Sequence, residues 1–249
     1  MFRNKKLILW SGIVVCCVVV AVALVRKQYM LPIVMYHSIL PSVPADSPLV
    51  VSAKTFERQM SFLKNNKYAV LSLDQAAAQI AQRKKAIGRV VVLTFDDGYV
   101  DNYLYAFPIL KKYGLQATIF LIVGEIGKPG KLDMDQILEM QDSGLITFGS
   151  HSMSHPFLDS IKSAPELVKE ISSSKKVLEG LLGKPVAAFA YPLGRLNKDV
   201  RQRVIDAGYR IAVTTNPGKS IHNNDIFAFK RLRISENAGN LFVFCEIKI

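Results

Sequence analysis

The sequence predicts an α/β fold in which helices alternate with the strands of a mostly parallel sheet, either open or closed into a barrel. Three observations support this prediction. The chain has 249 residues, half of them hydrophobic, which is enough for one large domain with a buried core. Strand-like and helix-like patterns alternate along residues 31–249. No low-complexity linker or internal repeat divides this region.

The segment before this region has a different character. Residues 1–30 hold five Lys/Arg and no Asp/Glu, and an apolar run covers residues 7–25. A helix of that length spans roughly 28 Å, close to the hydrocarbon thickness of a bilayer. We expect residues 1–30 to form an N-terminal transmembrane helix that anchors the protein; cleavage as a signal peptide after the Ala-Val-Ala at 21–23 is the alternative. More cationic residues precede the run than follow it, which places residues 31–249 outside the inner membrane, in the periplasm or the extracellular space.

The predicted elements follow one another in a regular order. Short apolar and β-branched runs predict strands at Ile33–Tyr36, 68–73, Val90–Phe95, 117–123, 145–149, 186–190 and 209–214, with further extended segments at 226–234 and 241–249. Apolar residues spaced three and four apart predict helices at 52–65, 74–85, 102–113, 134–143, 163–183 and 197–207. Between the first two elements, a proline-rich stretch at 41–48 predicts a surface loop.

Charge and cysteine content narrow the class of partners. The formal net charge is +12, and residues 31–249 retain an excess, with 27 Lys/Arg against 20 Asp/Glu. A basic surface suits an anionic envelope or an acidic glycan. No glycine-rich phosphate loop, zinc finger or basic repeat indicates nucleic acid. Outside the anchor only Cys245 is present, so this region forms no internal disulfide. The oligomeric state leaves no trace in the sequence.

Polar side chains follow the C-terminal ends of four predicted strands: His37, the Asp96–Asp97 pair, His151 with His155, and Tyr191 with Pro192. In parallel sheets and barrels, catalytic groups collect at these ends. We therefore expect these side chains to share one functional face.

Two histidines and two adjacent acids suggest a hydrolytic metal site. His151 and His155 are four residues apart, a spacing that brings both imidazoles to one side of a helical turn. One carboxylate would complete a two-histidine, one-acid set with open coordination positions, and the second could act as a general base. The alternatives are an ordinary polar loop at the histidines and a type I turn at Asp96-Asp97-Gly98.

These motifs resemble the polysaccharide deacetylases, the NodB-homology domain of carbohydrate esterase family 4. Thr-Phe-Asp-Asp-Gly at 94–98 and His-Ser-x-x-His-Pro at 151–156 match the family's first two motifs in type, order and spacing. The resemblance implies a distorted (β/α)7-type barrel and metal-dependent removal of acetyl groups from N-acetylated sugars. It implies that Asp96 is the general base and that the metal ligands are Asp97, His151 and His155. Zinc is favoured as the metal, with cobalt and nickel open.

Two departures point to one branch of that family. Ala190 stands where the third motif usually has an arginine that orients the base, and residues 241–249 lack the usual general-acid histidine. Both departures are similar to the circularly permuted poly-N-acetylglucosamine deacetylases of biofilm systems, in which a first-strand motif supplies the acid. Met-Tyr-His at 35–37 matches that motif, so the resemblance makes His37 the candidate acid.

Two further roles complete the predicted site. Arg231 or Arg233 is the candidate for orienting Asp96. Tyr191, through its backbone N–H, and Pro192 are the candidates for contacting the substrate and its oxyanion.

The expected function is hydrolysis of N-acetyl groups on an N-acetylglucosamine-containing polysaccharide at the cell envelope, with release of acetate. Poly-N-acetylglucosamine, peptidoglycan and chitin-like oligomers remain open as substrates, and the permuted acid favours the first. One alternative is a catalytically inactive glycan-binding module, because the usual orienting arginine is missing. The other is a metal-dependent amidase or esterase that acts on a smaller acyl substrate.

Overall fold

The computed structural model describes residues 31–81, 89–217 and 225–236. These residues form ten strands: β1 (Ile33–Tyr36), β2 (Ser38–Leu40), β3 (Val50–Ser52), β4 (Ala69–Leu71), β5 (Val90–Phe95), β6 (Ala117–Leu121), β7 (Ile146–Ser150), β8 (Ala188–Ala190), β9 (Ile211–Pro217) and β10 (Phe229–Arg233). The predicted anchor at 1–30 and the predicted extended segment at 241–249 lie outside the described residues. Within those residues, no helix is long and apolar enough to cross a membrane.

Seven parallel strands close into a barrel. Their order is β1-β10-β9-β8-β7-β6-β5, and β5 pairs with β1 to complete the ring. The register of the closing pair runs from Ile33 opposite Val92 to Tyr36 opposite Phe95. β4 adds to the N-terminal half of β5, while β6 pairs with its C-terminal half. The barrel and its count of strands are therefore as the sequence and the family resemblance led us to expect.

The helices lie between the strands in chain order: α1 (Ala53–Asn65), α2 (Leu73–Ala81), α3 (Phe107–Tyr113), α4 (Met134–Asp142), α5 (Ala164–Val168), α6 (Ser174–Leu182) and α7 (Lys198–Asp206). Their starts follow capping rules. The Ser52 hydroxyl accepts from the N–H of Thr55 at the start of α1, and Asp133 with Gln136 forms a full capping box before α4. α1 buries Phe56, Met60 and Leu63, whose spacing of four and three residues predicted the helix.

Two predicted helices are interrupted where the sequence pattern suggested continuity. Residues Asn102–Ala106 form a π-helical turn that leads into α3, and Lys169–Ser173 form another that joins α5 to α6. In the second turn, the Ser174 hydroxyl donates to the carbonyls of Glu170 and Ile171, at 2.7 and 2.9 Å. The short parallel pair of β2 and β3, which flanks the predicted 41–48 loop, was also not expected.

The two faces of the barrel strands belong to different clusters. Alternate residues of β5, such as Val91 and Leu93, pack in the larger cluster with the helices. Val90 and Val92 pack in a smaller cluster with Phe229 and other barrel residues. Because side chains alternate along a strand, Asp96 continues the inner face of β5 at its C-terminal end. The barrel interior is thus apolar along the strands and polar at their C-terminal ends, where the predicted site lies.

Candidate active site

The structure brings the predicted metal ligands together at the C-terminal end of the barrel. Asp97 follows β5, and His151 and His155 follow β7. The Oδ1 atom of Asp97 lies 3.6 Å from Nε2 of His151 and 3.8 Å from Nε2 of His155. One ligand atom from each of the three residues lies within 4.8 Å of the other two. Two imidazoles and a carboxylate at this spacing fit a divalent transition metal such as zinc, and leave further coordination positions open.

The histidine loop reaches this geometry without the helical turn that the spacing predicted. Residues 151–154 are not helical, and Ser152 and His155 adopt left-handed backbone conformations with φ of 64° and 62°. The Ser152 hydroxyl accepts a hydrogen bond from the His155 N–H at 2.9 Å, which closes the turn. Such conformations are rare for residues other than glycine and cluster at functional sites.

His151 is oriented by β8. Its Nδ1 atom lies 2.8 Å from the carbonyl oxygen of Ala190. Ala190 is the residue that stands where the third motif of the family usually has an arginine. A carbonyl only accepts hydrogen bonds, so Nδ1 carries the proton and the Nε2 lone pair is directed toward Asp97. His151 is 2 % exposed, and burial lowers its pKa despite the nearby carboxylates of Asp96 and Asp97. The neutral ring that a metal ligand requires is therefore favoured.

Asp97 sits in a strained turn that its neighbours hold. Its φ is 71°, and Gly98 follows at 63°. A Cβ at Gly98 would lie 2.6 Å from Cδ2 of Leu121, so the turn needs glycine for both space and conformation. Lys131 donates from Nζ to the Asp97 carbonyl at 3.0 Å and lies over the Tyr99 ring. Burial, with the Asp97 carboxylate adding to it, raises the pKa of Tyr99 to about 12, so this hydroxyl stays protonated.

Asp96 is held by Arg231, a residue 135 positions away in the chain. Both side chains are fully buried, and the guanidinium donates from Nη1 to Oδ1 and from Nη2 to Oδ2, each at 2.7 Å. Arg231 is itself fixed by the Thr214 carbonyl and the Thr94 hydroxyl. Of the two predicted candidates, Arg231 contacts Asp96, whereas Arg233 is exposed at the end of β10.

This pairing sets the charge of Asp96. Burial opposes ionisation of the carboxyl group, but the charge and the hydrogen bonds of the Arg231 guanidinium are the main opposing influence, and the pKa of Asp96 lies well below its usual range. The Oδ2 atom of Asp96 also lies 4.0 Å from Nε2 of His151, at the edge of the candidate metal site. The structure therefore places an ionised carboxylate beside the three ligands.

His37 follows β1, the strand that pairs with β5 and so lies next to the segment of Asp96 and Asp97. It is 8 % exposed, and its backbone carbonyl accepts a hydrogen bond from Asn102 at 2.8 Å. Asp101 accepts hydrogen bonds from the Ser38 hydroxyl and the Ile39 N–H, which ties this segment to the turn after β5. Within the described residues, the Nδ1 atom of His37 is buried without a hydrogen-bond partner. Burial lowers the pKa of His37 against the opposing charges of Asp96 and Asp97.

The predicted oxyanion donor at Tyr191 is already engaged in the sheet. The Tyr191 N–H donates to the carbonyl of Val213 at 3.0 Å, so it is used within the sheet. Its ring is buried in the core, and its hydroxyl donates to the Phe227 carbonyl. Pro192 is buried, and its contact with the substrate stays a prediction. The reason for the correction is that sheet pairing continues one residue beyond the predicted end of the strand.

Sequence reasoning missed several groups that support the site. Lys131, Asp101 and Asn102 carry no motif of their own. Glu170 is buried and accepts three hydrogen bonds from the loop between the two histidines. Its position three residues after Leu167, on the buried side of the predicted helix, was a signal that could have identified it.

The fold and these contacts define a NodB-type (β/α)7 barrel with a hydrolase site at the C-terminal ends of its strands. Comparison with known proteins identifies the family. A family model described as "Polysaccharide deacetylase" matches residues 83–212, about half of the chain. The chain therefore belongs to the polysaccharide deacetylase family. This confirms both the family resemblance of its motifs and the expectation of an enzyme that hydrolyses N-acetyl groups.

Three relatives illustrate the similarity. The chain is 37% identical over 218 residues to the putative polysaccharide deacetylase YxkH of Bacillus subtilis, covering 87% of this chain and 76% of the relative. It is 29% identical over 200 residues to a poly-β-1,6-N-acetyl-D-glucosamine N-deacetylase of Staphylococcus aureus. That match covers 76% of this chain and 69% of the relative. The structure of the Streptococcus pyogenes deacetylase PplD in complex with acetate matches with a TM-score of 0.78 and 34% identity, covering 83% of this chain and 93% of that one.

Proposed function

We propose that the protein removes acetyl groups from N-acetylglucosamine residues of a polysaccharide and that it requires a divalent metal, with zinc favoured. The observation that carries this proposal is the contrast between two adjacent carboxylates. Asp97 faces the two histidines, whereas Asp96 is held by Arg231. Adjacent acids with different partners suit different roles, one as a ligand and one as a base.

The proposed reaction assigns one task to each group. Asp97, His151 and His155 would hold the divalent metal, which when bound would supply Lewis-acid polarisation of the acetyl carbonyl and would lower the pKa of water. Asp96 accepts the proton of the attacking water, and Arg231 keeps its carboxylate ionised and aimed. In its protonated form, His37 donates a proton to the departing amide nitrogen. Asp96 has taken one proton from water and His37 has given one up, so acetate and a free amino sugar result.

The inactive-module alternative rested on the missing arginine of the third motif. Arg231 reaches Asp96 from β10 instead of β8, with two hydrogen bonds of 2.7 Å. Asp96 and the three predicted metal ligands thus each have a partner that suits the role named by the resemblance. This arrangement supports an enzyme over a binding module.

Two observations favour a glycan over a smaller acyl substrate. The S. aureus relative carries poly-β-1,6-N-acetyl-D-glucosamine in its name, and we infer the same substrate class here. In addition, Phe157 and Leu193 follow the segments that hold His155 and Ala190, and both are about half exposed. Exposed apolar side chains beside a site mark a surface on which a longer ligand can lie.

We further propose that residues 1–30 anchor the enzyme with its barrel outside the inner membrane. The apolar run at 7–25 and its flanking positive charges support this placement. Membrane fractionation followed by N-terminal sequencing tests it. An intact N-terminus in the membrane fraction is expected, and a soluble chain that begins after residue 23 would support signal cleavage.

The experiment that tests the proposed reaction is acetate release by the full-length chain in detergent. Oligomers of β-1,6-linked N-acetylglucosamine, chitin oligomers, peptidoglycan and a small acetyl ester are compared with and without chelator. We expect the β-1,6-linked oligomers to be the best substrate, with activity lost in chelator and restored by zinc. Glycan binding without acetate release would favour the module, and preference for the ester would favour the third alternative.

A further inference from the structure

Glu170 is a buried acid that serves the loop between the candidate metal ligands. It is 4 % exposed, and within the described residues it has no ion-pair partner. Its Oε2 atom accepts from the N–H of Met153 at 3.0 Å and of Ser154 at 2.9 Å. Its Oε1 atom accepts from the Ser154 hydroxyl at 2.7 Å. All three donors therefore lie between His151 and His155.

The helix that carries Glu170 is deformed at that residue. Glu170 lies in the π-helical turn Lys169–Ser173, and it is buried together with its neighbour Ile171. π-Helical turns are rare and frequently mark functional sites. In this turn the Glu170 side chain is buried beside an apolar residue, and the Ser174 hydroxyl donates to the Glu170 and Ile171 carbonyls.

The loop needs such support because its backbone is strained. Ser152 and His155 both have positive φ, an unfavourable backbone conformation that persists only where other contacts fix it. Glu170 binds the two residues that separate these strained positions. Without it, the loop could relax and the two imidazoles could move apart.

We propose that Glu170 is a positioning residue that preorganises the 151–155 loop for metal binding. The inference rests on the metal-dependent function proposed above. It concerns affinity for the metal, because the hydrogen bonds of Glu170 go to Met153 and Ser154 and not to the imidazole nitrogens of the ligands. Partners that orient metal ligands typically contribute 10–100-fold in metal affinity.

The test compares zinc affinities measured by calorimetry on the metal-stripped, full-length chain. Glu170→Gln keeps the shape of the side chain but replaces one acceptor with an amide NH2, which cannot accept hydrogen bonds. We expect its zinc Kd to rise 10–100-fold. The matched control is Glu236→Gln, because Glu236 also accepts three hydrogen bonds, from Ser52 and Thr55 at the start of α1. We expect the control to lose stability but keep the wild-type Kd.

A second variant keeps the inference testable if Glu170→Gln does not fold. Ser154→Ala removes one of the three donors at an exposed residue, and we expect a smaller rise in Kd. An unchanged Kd in these variants overturns the inference, and so does an equal rise in Glu236→Gln, which would indicate general destabilisation. A wild-type chain that binds no zinc overturns the proposed function and this inference with it.

Discussion

Arg231→Met offers the strongest test of how Asp96 is held. The variant removes both 2.7 Å hydrogen bonds and leaves Asp96 as a fully buried carboxylate without its cation. Breaking a buried ion pair by removing one partner costs about 3–5 kcal/mol, since the remaining charge is uncompensated. We expect a loss of this size in the free energy of unfolding, measured by urea denaturation in the presence of chelator.

The second half of this test is a double-mutant cycle with Asp96→Asn. The double variant has no unpaired charge at this position, so it should be more stable than Arg231→Met alone. Arg233→Met is the control, because Arg233 is exposed, and it should change stability by no more than about 0.5 kcal/mol. A loss below about 1 kcal/mol in Arg231→Met, or a cycle without coupling, would refute the reasoning.

Three further predictions concern the candidate general acid His37, the turn at Gly98 and the stability of the protein at low pH. His37→Gln should lower the rate of acetate release by about 10²–10⁴-fold while zinc affinity stays unchanged, and a small effect on rate would remove His37 as the acid. Gly98→Ala should destabilise the protein more than Gly127→Ala. Both glycines have positive φ, but of the two only Gly98 has a neighbour that an added Cβ would meet. Equal losses of unfolding free energy on urea denaturation would contradict this reasoning. Burial alone would raise the pKa of Glu236, but hydrogen bonds from Ser52 and Thr55 outweigh burial and lower it. The stability that the ionised Glu236 contributes is therefore present above the unfolded pKa of about 4.3. It is lost as the pH falls through the lower pKa of the folded state. The difference in unfolding free energy between wild type and Glu236→Gln should therefore shrink below pH 4, and a constant difference would exclude this origin.

Much of the fold was predictable because the barrel repeats a simple pattern. Apolar runs such as Val90–Phe95 are buried on both faces, so their lack of alternation identified them as interior strands. The placement of catalytic groups followed from the rule that they collect at the C-terminal ends of parallel strands. His37, Asp97 and His151 could thus be assigned to one face before their contacts were known.

The contacts that fix the site were less predictable because they join distant segments. Arg231 and Asp96 are 135 positions apart, and no local pattern distinguishes Arg231 from Arg233. Glu170 depends on a π-helical turn, which shifts the helical register by local strain that propensities do not describe. The Tyr191 error had a related cause, since only the observed pairing with Val213 shows where the sheet ends.

The central claim is the division of roles between Asp96 and Asp97, and the zinc bound per chain in two variants tests it most directly. Asp97 faces His151 and His155, whereas Asp96 is bound to Arg231. The account predicts that Asp96→Asn retains about one zinc per chain but loses acetate release by 10²–10⁴-fold, and that Asp97→Asn loses the zinc. Zinc retained by Asp97→Asn and lost by Asp96→Asn would contradict it.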